Sequence, residues 1–318
     1  MERLPACALR SAVAAVIVVL ATVGCDRRDS SDGRPLPATE RAGSPEAADL
    51  AAASAPPENS GPDLTGRPAD KTGLGAPGGP PEEAAAAEES PPARGAEAER
   101  PAVEALERLA ARLERNDRGL VYRIEAVGLQ ISASQLQCLA DLPALESLEI
   151  GDTPLDGGAL KCLSGLVGLK RLYLRNVGLT DDALEILKGL SQIEVLSLAH
   201  NQISGAGLVH LRGLERLEVL NLSTNPLMDD GLAHLANLKQ LNTLTLADTG
   251  VTGAGLTHLK PLEKLRVLNL DRTDLVDGDL DQLAGFKNMR MLYLRGCKVS
   301  EESVSQLDDA VSGLSVYY

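Results

Sequence analysis

The sequence predicts an α/β repeat fold, and three periodic observations carry that prediction. Pairs of the form LxL fall at Leu172/Leu174, Leu196/Leu198, Leu220/Leu222, Leu244/Leu246, Leu268/Leu270 and Leu292/Leu294, each step being 24 residues without a gap. Within each pair the leucines alternate with other residues, the period of a short strand with one buried face. After each pair comes a leucine triplet such as Leu208, Leu211 and Leu214, whose spacing is helical. A chain that repeats one strand and one helix at a fixed period reads as a stack of identical supersecondary units.

The elements of one unit follow in order. Residues 193–216 read "IEVLSLAHNQISGAGLVHLRGLER". The strand covers the leucine pair. Five residues past its first leucine stands Thr153, Val177, Asn201, Asn225, Thr249, Thr273 or Cys297, a turn position where a small hydrogen-bonding side chain serves the backbone of stacked neighbours. A buried Leu, Ile or Val follows, then a helix-cap candidate such as Thr180, Ser204 or Thr252. Asp181 and Glu301 suit the positive end of a helix dipole. Leu148/Ile150 and Ile124/Ala126 extend the register backward and Val316/Tyr318 extend it forward, giving eight full units and a final strand.

These residues resemble the leucine-rich repeat family, with LxxLxLxx(N/T/C)xL and the "LTDxGL" style of bacterial members, over about 121–318. The resemblance implies a solenoid shaped like a horseshoe, with parallel strands lining the concave face and short helices on the convex face. Each unit buries its leucines only against its neighbours, so the open ends need covers. The stretch "PAVEALERLAARLERNDRG" puts Val103, Leu106, Leu109 and Leu113 on one stripe, with Gly119 as a C-terminal stop. A capping helix over 101–118 is the expectation, with a short dimerising helix as the alternative. The repeat domain as a whole is assigned to 101–318.

The first hundred residues differ in kind. Residues 25–100 are dominated by Ala, Pro, Gly, Glu and Ser, without an aromatic residue, and read as a disordered linker. The start, "MERLPACALRSAVAAVIVVLATVGC", has Arg3 and Arg10 before an uncharged run from Ser11 to Gly24. A helix over that run rises only about 21 Å, short of a hydrocarbon core of about 30 Å. Residues 1–24 therefore read as a signal peptide. The ending Thr22-Val23-Gly24-Cys25 resembles a bacterial lipobox, which implies lipid on Cys25 and an exported protein anchored at a bacterial membrane, in the periplasm or on the cell surface. An ordinary cleaved signal and an uncleaved anchor are the alternatives. With Cys25 lipidated, the linker becomes a tether with an r.m.s. reach of roughly 45–50 Å.

Composition and geometry remove most chemistries. The net charge is −14, spread along the chain, with no Trp and a single Phe, Phe286, so neither a phosphate-binding surface nor a base-stacking platform is expected. Three of the four histidines, His210, His234 and His258, sit in one column with Cys138, Cys162, Ile186 and Gln282. Packed helices lie about 8–10 Å apart, so three rings on that ladder do not converge on one ion whose bonds are about 2.0 Å. They read as packing residues, and no metal or other cofactor is expected. Cys138 and Cys162 read as free, packed thiols. His200, Thr224 and Asp248 occupy successive units with threonine in the middle, the wrong order for a nucleophile–base–acid triad. The aspartates 271, 274, 277, 279 and 281 lack the spacing of a calcium loop. "GAG" at 205–207 and 253–255 is too weak for a phosphate loop.

What remains is a surface. Concave positions carry Glu125, Glu149, Tyr173, Arg175, Ser197, Asn221, Thr245, Asn269, Asp271, Tyr293 and Arg295. Tyr and Arg are enriched in interface hot spots, and Tyr173/Arg175 recurs as Tyr293/Arg295 five units on. The expectation is a non-catalytic, membrane-tethered module that binds a protein or other macromolecule, not a nucleic acid, through Tyr173, Arg175, Asn269, Asp271, Tyr293 and Arg295. A structural envelope protein and an inhibitor or adaptor of an enzyme are the competing readings.

Overall fold

The computed structural model describes residues 94–318. The expected signal segment 1–24, Cys25 and the linker up to residue 93 lie outside the described residues. Ten strands form one open sheet in chain order. After β1 (Arg112–Arg115) and β2 (Val121–Val127) come β3 (Ser147–Gly151), β4 (Arg171–Arg175) and β5 (Val195–Ser197). Then follow β6 (Val219–Asn221), β7 (Thr243–Thr245), β8 (Val267–Asn269), β9 (Met291–Tyr293) and β10 (Ser315–Tyr317). From β2 onward every neighbour is parallel and in a register of 24 residues, as in Leu196↔Leu220 and Leu220↔Leu244. The fold is an α/β solenoid, as the periodicity predicts, of the leucine-rich repeat kind that the resemblance implies.

The register explains the core. Leu172, Leu196, Leu220, Leu244 and Leu268 stack into one fully buried file, and Leu174, Leu198, Leu222, Leu246 and Leu270 into a second. Opposite them stand the convex leucines, such as Leu208, Leu211 and Leu214, also fully buried. Several convex segments are 3-10 rather than α: Asp181–Gly189 and Ala206–Gly213 are 3-10 throughout. The physical reason lies in the triplet. Leucines three apart align directly on one face when the helix has about 3.0 residues per turn, the 3-10 period. The shorter run Leu160 and Leu163 is nonetheless buried on an α-helical segment, Gly157–Leu163.

The turn column behaves as its residue types require. The Asn201 carboxamide oxygen accepts from the Val177 and Leu179 N–H groups at 3.2 and 3.0 Å. Its nitrogen donates to the Leu174 and Leu198 carbonyls at 2.8 and 2.9 Å. Asn225 repeats the pattern on Ile203 and Leu198. Thr249, Thr273 and Cys297 make shorter versions, each donating to the carbonyl of the leucine just past a strand. In these five coils one small side chain thus satisfies backbone groups that would otherwise be buried without partners, while Val177 in the same column fills its place with an apolar side chain.

The N-terminal cover differs from the expected helix over 101–118. The helix, α1, spans Arg94–Arg108, and β1 runs antiparallel to β2 with Leu113 opposite Ile124. Two local features break the longer helix. Ala110 is left-handed (φ 60°), and the Asn116 side chain accepts from the Arg118 and Leu120 N–H groups in a turn that contains Gly119 (φ 75°). Gly119 therefore serves a hairpin, not a helix stop. The stretch 94–100, read from composition as linker, is the first part of this helix and carries Glu99. That side chain is fully buried and accepts from the Val121 N–H at 3.0 Å, which ties α1 to the first parallel strand.

Candidate functional site: the strand face and its rims

Parallel register collects the outward strand residues into files. Tyr173, Ser197, Asn221, Thr245, Asn269, Tyr293 and Tyr317 are mutual strand partners in sequence order. Neighbouring strands are about 4.8 Å apart, so Tyr173 and Tyr293 stand roughly 24 Å from each other. Between them the side chains are short; at each end they are long.

At the far end the Tyr293 and Tyr317 rings are stacked, with centroids 4.8 Å apart and planes 12° from parallel. The Arg295 guanidinium lies 6.0 Å from the Tyr317 ring centre. Burial raises the Tyr293 phenol above its ordinary pKa, so it stays protonated and available as a donor. Tyr317 was missing from the residues picked out by sequence, although counting 24 from Tyr293 reaches it. At the near end Tyr173 packs on Val195 and Val219, a small apolar patch on the strand face separate from the main core. An Arg175 Nη lies 3.4 Å from His200 Nε2. Burial raises the Glu149 carboxyl, and the neighbouring Glu125 charge adds to the shift.

Asn269 and Asp271 require a correction. Both are buried, and both are occupied by the backbone. The Asn269 side-chain oxygen accepts from the Asp271 N–H at 2.8 Å, and an Asp271 oxygen accepts from the Arg295 N–H at 2.8 Å. A side chain folded back onto its own sheet is not offered outward, so these two hold the strands that present Tyr293 and Arg295. Asn221 does the same for Ser223.

The file containing His200 forms a corner of the coil. Asp152, Asn176, His200, Thr224, Asp248 and Arg272 all have φ between 51° and 57°, in the left-handed region. Gly128 and Gly296 occupy the two ends of the same column. Asn and Asp adopt this conformation readily; a β-branched Thr224 does so at a cost that the stacked coils on either side must offset. The Asp248 carboxylate accepts from Nε and one Nη of the Arg272 guanidinium. His210, His234 and His258 lie half-buried on the convex side, where an Arg212 Nη meets His234 Nδ1 at 2.9 Å. Burial and that guanidinium hold the His234 imidazole below its ordinary pKa. Cys138 and Cys162 are free thiols that donate to the Gln135 and Gly158 carbonyls of their own turns.

A further network was not read from the sequence. Asp181, expected at the positive end of its own helix, instead reaches the next coil and accepts from the Ser204, Gly205 and Gly207 N–H groups. Asp229 takes Thr252 N–H at 2.8 Å and Asp277 takes Ser300 N–H at 2.6 Å in the same manner. The signal was present. Residues 157, 181, 205, 229, 253 and 277 read Gly, Asp, Gly, Asp, Gly, Asp, a period of two coils.

The strand register, the polar turn column and the leucine files are those of a leucine-rich repeat fold, and residues 167–227 match the family model described as leucine rich repeat. Internalin C2 of Listeria monocytogenes is similar in fold, with a TM-score of 0.51 at 23% identity, over 70% of this chain and 90% of that one. A leucine-rich repeat protein of Leptospira interrogans matches with a TM-score of 0.43 at 20% identity, over 57% of this chain and 51% of that one. The plant peptide hormone receptor RGFR1, in complex with RGF2, also has a TM-score of 0.43, at 18% identity, over 64% of this chain and 36% of that one. No curated protein matches the chain.

Proposed function

We propose that this protein is a non-catalytic binding module, exported and lipid-anchored at a bacterial membrane through Cys25, that takes a protein partner on its strand face. The observation that carries the reading is the pair of aromatic–arginine groups at the two ends of one strand file. Tyr173 with Arg175, and Tyr293 with Tyr317, are large side chains set on strands, Arg295 follows in the turn after β9, and only Ser, Asn and Thr stand between the two ends of the file. Groups already held in place lose little freedom on binding, so more of their contact energy is kept. The order His200, Thr224, Asp248 on successive corners supports the non-catalytic part, since the base does not lie between nucleophile and acid.

Photocrosslinking in intact cells tests the reading, with the crosslinker placed at the half-buried strand residues Glu149 or Met291 and, as a control, at Val209 on the convex side. One dominant adduct from the strand-face positions supports it. The same adduct from Val209 alone would move the partner to the other face.

A further inference from the structure

We infer that the flank of the solenoid preceding the strands is a self-complementary surface on which a second copy of this chain docks about a two-fold axis at Asn242. The flank is a single column, because each backbone N–H donates to the carbonyl 24 residues earlier. Glu218 donates to Glu194, Asn242 to Glu218, Arg266 to Asn242 and Arg290 to Arg266, at 2.7–2.8 Å. The side chains are therefore stacked about 4.8 Å apart.

The charge order along this column is the observation that points to a second copy. In other columns polar side chains 24 residues apart compensate each other, Gln192 with Arg216, Gln240 with Lys264 and Asp274 with Lys298. The near end of this same column is closed by a compensated pair, Glu146 with Lys170 at 2.8 Å; the five positions from 194 to 290 differ. In this column Glu194 is followed by Glu218, and Arg266 by Arg290, so like charges are stacked on like. Among the described residues the Glu194 and Arg266 side chains have no partner, while Glu218 receives only a 3.4 Å bond from Asn242. Glu218, Arg266 and Arg290 are exposed. Two acidic positions, a neutral centre and two basic positions form a sequence that a two-fold axis through the centre maps onto its opposite. Glu194 then meets Arg290 of the second copy, and Glu218 meets Arg266, four ion pairs in all. A cleft of about 640 Å³, lined by Arg266, Arg290, Glu218 and the apolar Val267 and Met291, gives the incoming carboxylates room to enter. The same patch on both copies makes the contact isologous and closed, a dimer and not a filament.

The full chain is measured by sedimentation equilibrium at low and high salt. The expected result is a dimer near 10 mM salt that weakens at least tenfold by about 500 mM, where exposed charges are screened beyond a few ångströms. Two charge-swapped variants are made, Glu194→Arg with Glu218→Arg, and Arg266→Glu with Arg290→Glu. Each stripe then carries one sign and is expected to be monomeric alone, while an equal mixture regains the dimer mass. Circular dichroism checks that both variants are folded; should either fail, single substitutions at Glu218 and Arg266 replace it. A monomeric wild type at low salt, swapped variants that dimerise as well as wild type, or a mixture that stays monomeric overturns the inference.

Discussion

Asp181 and Gly207 belong to different coils, yet an Asp181 oxygen accepts the Gly207 N–H at 2.8 Å. The contact demands both residue types. A Cβ on Gly207 would lie 2.5 Å from the Asp181 backbone oxygen, so only glycine lets the two coils approach this closely. Burial pushes the Asp181 carboxyl up, but the Ser204 hydroxyl and the three N–H groups pull it further down, and its pKa is lowered overall. The arrangement is an N-terminal cap supplied by the preceding coil. It recurs at Asp229 and Asp277, which divides the solenoid into two-coil cassettes.

Replacing Asp181 with alanine should therefore cost about 1–2 kcal/mol, the usual range for a lost cap. For a domain of this size the melting midpoint falls by roughly 2–8 °C. A carboxyl with a depressed folded pKa stabilises the fold above its unfolded pKa of about 3.9, and the benefit is lost as pH falls through the folded value. Melting curves of wild type and Asp181→Ala should thus converge in strong acid and separate at neutral pH. A constant gap at every pH would mean that the charge is not what matters.

The amino-terminal cover gives a sharper test of where the domain begins. A fragment starting at 101 loses Glu99 and with it the buried bond to the Val121 N–H. Leaving that donor buried without a partner costs about 1–3 kcal/mol. The 101–318 fragment should melt measurably below a fragment starting at 94. Equal midpoints would return 94–100 to the linker.

On the strand face, truncating a true anchor among Tyr173, Arg175, Tyr293, Arg295 and Tyr317 to alanine should weaken a protein partner by about 2 kcal/mol or more, roughly thirtyfold. Ser197→Ala and Thr245→Ala should cost far less. Asn269→Ala and Asp271→Ala should instead lower stability, because their oxygens hold backbone donors. Calorimetry of the identified partner against this set separates the two groups. Wild-type binding by all five anchor variants would show that the face is wrong.

Changing His210, His234 and His258 together to glutamine should leave partner affinity and metal content unaltered. The three occupy one half-buried seam, and the His234 ring already contacts Arg212 at 2.9 Å, a cation where a metal would have to sit. Zinc at one equivalent in protein purified without added metal, lost in the triple variant, would contradict this.

Mass spectrometry of the mature amino terminus addresses the anchor. A diacylated or triacylated Cys25 is the expected first residue, from the basic, apolar and small-residue run that ends in it. An unmodified terminus at any other residue would remove the lipoprotein reading.

The solenoid is legible in the chain alone, because burial in a stacked coil is periodic and the 24-residue register of leucines records it directly. The turn column is legible for the same reason: Asn201 and Asn225 stand where the backbone of the preceding coil needs a partner. Tertiary structure decided what passes between coils or back onto them. Leucines three apart read as helical, and only packing showed that the 3-10 period keeps them on one face. Asn269 and Asp271 look outward in a pattern of alternation, but hydrogen bonds within the sheet turn them inward. Asp181 looks like a cap for its own helix, yet it caps its neighbour, because the nearest free N–H groups across a short gap belong to Gly205 and Gly207. A one-dimensional period states which residues share a face; only packed coils decide which of them touch.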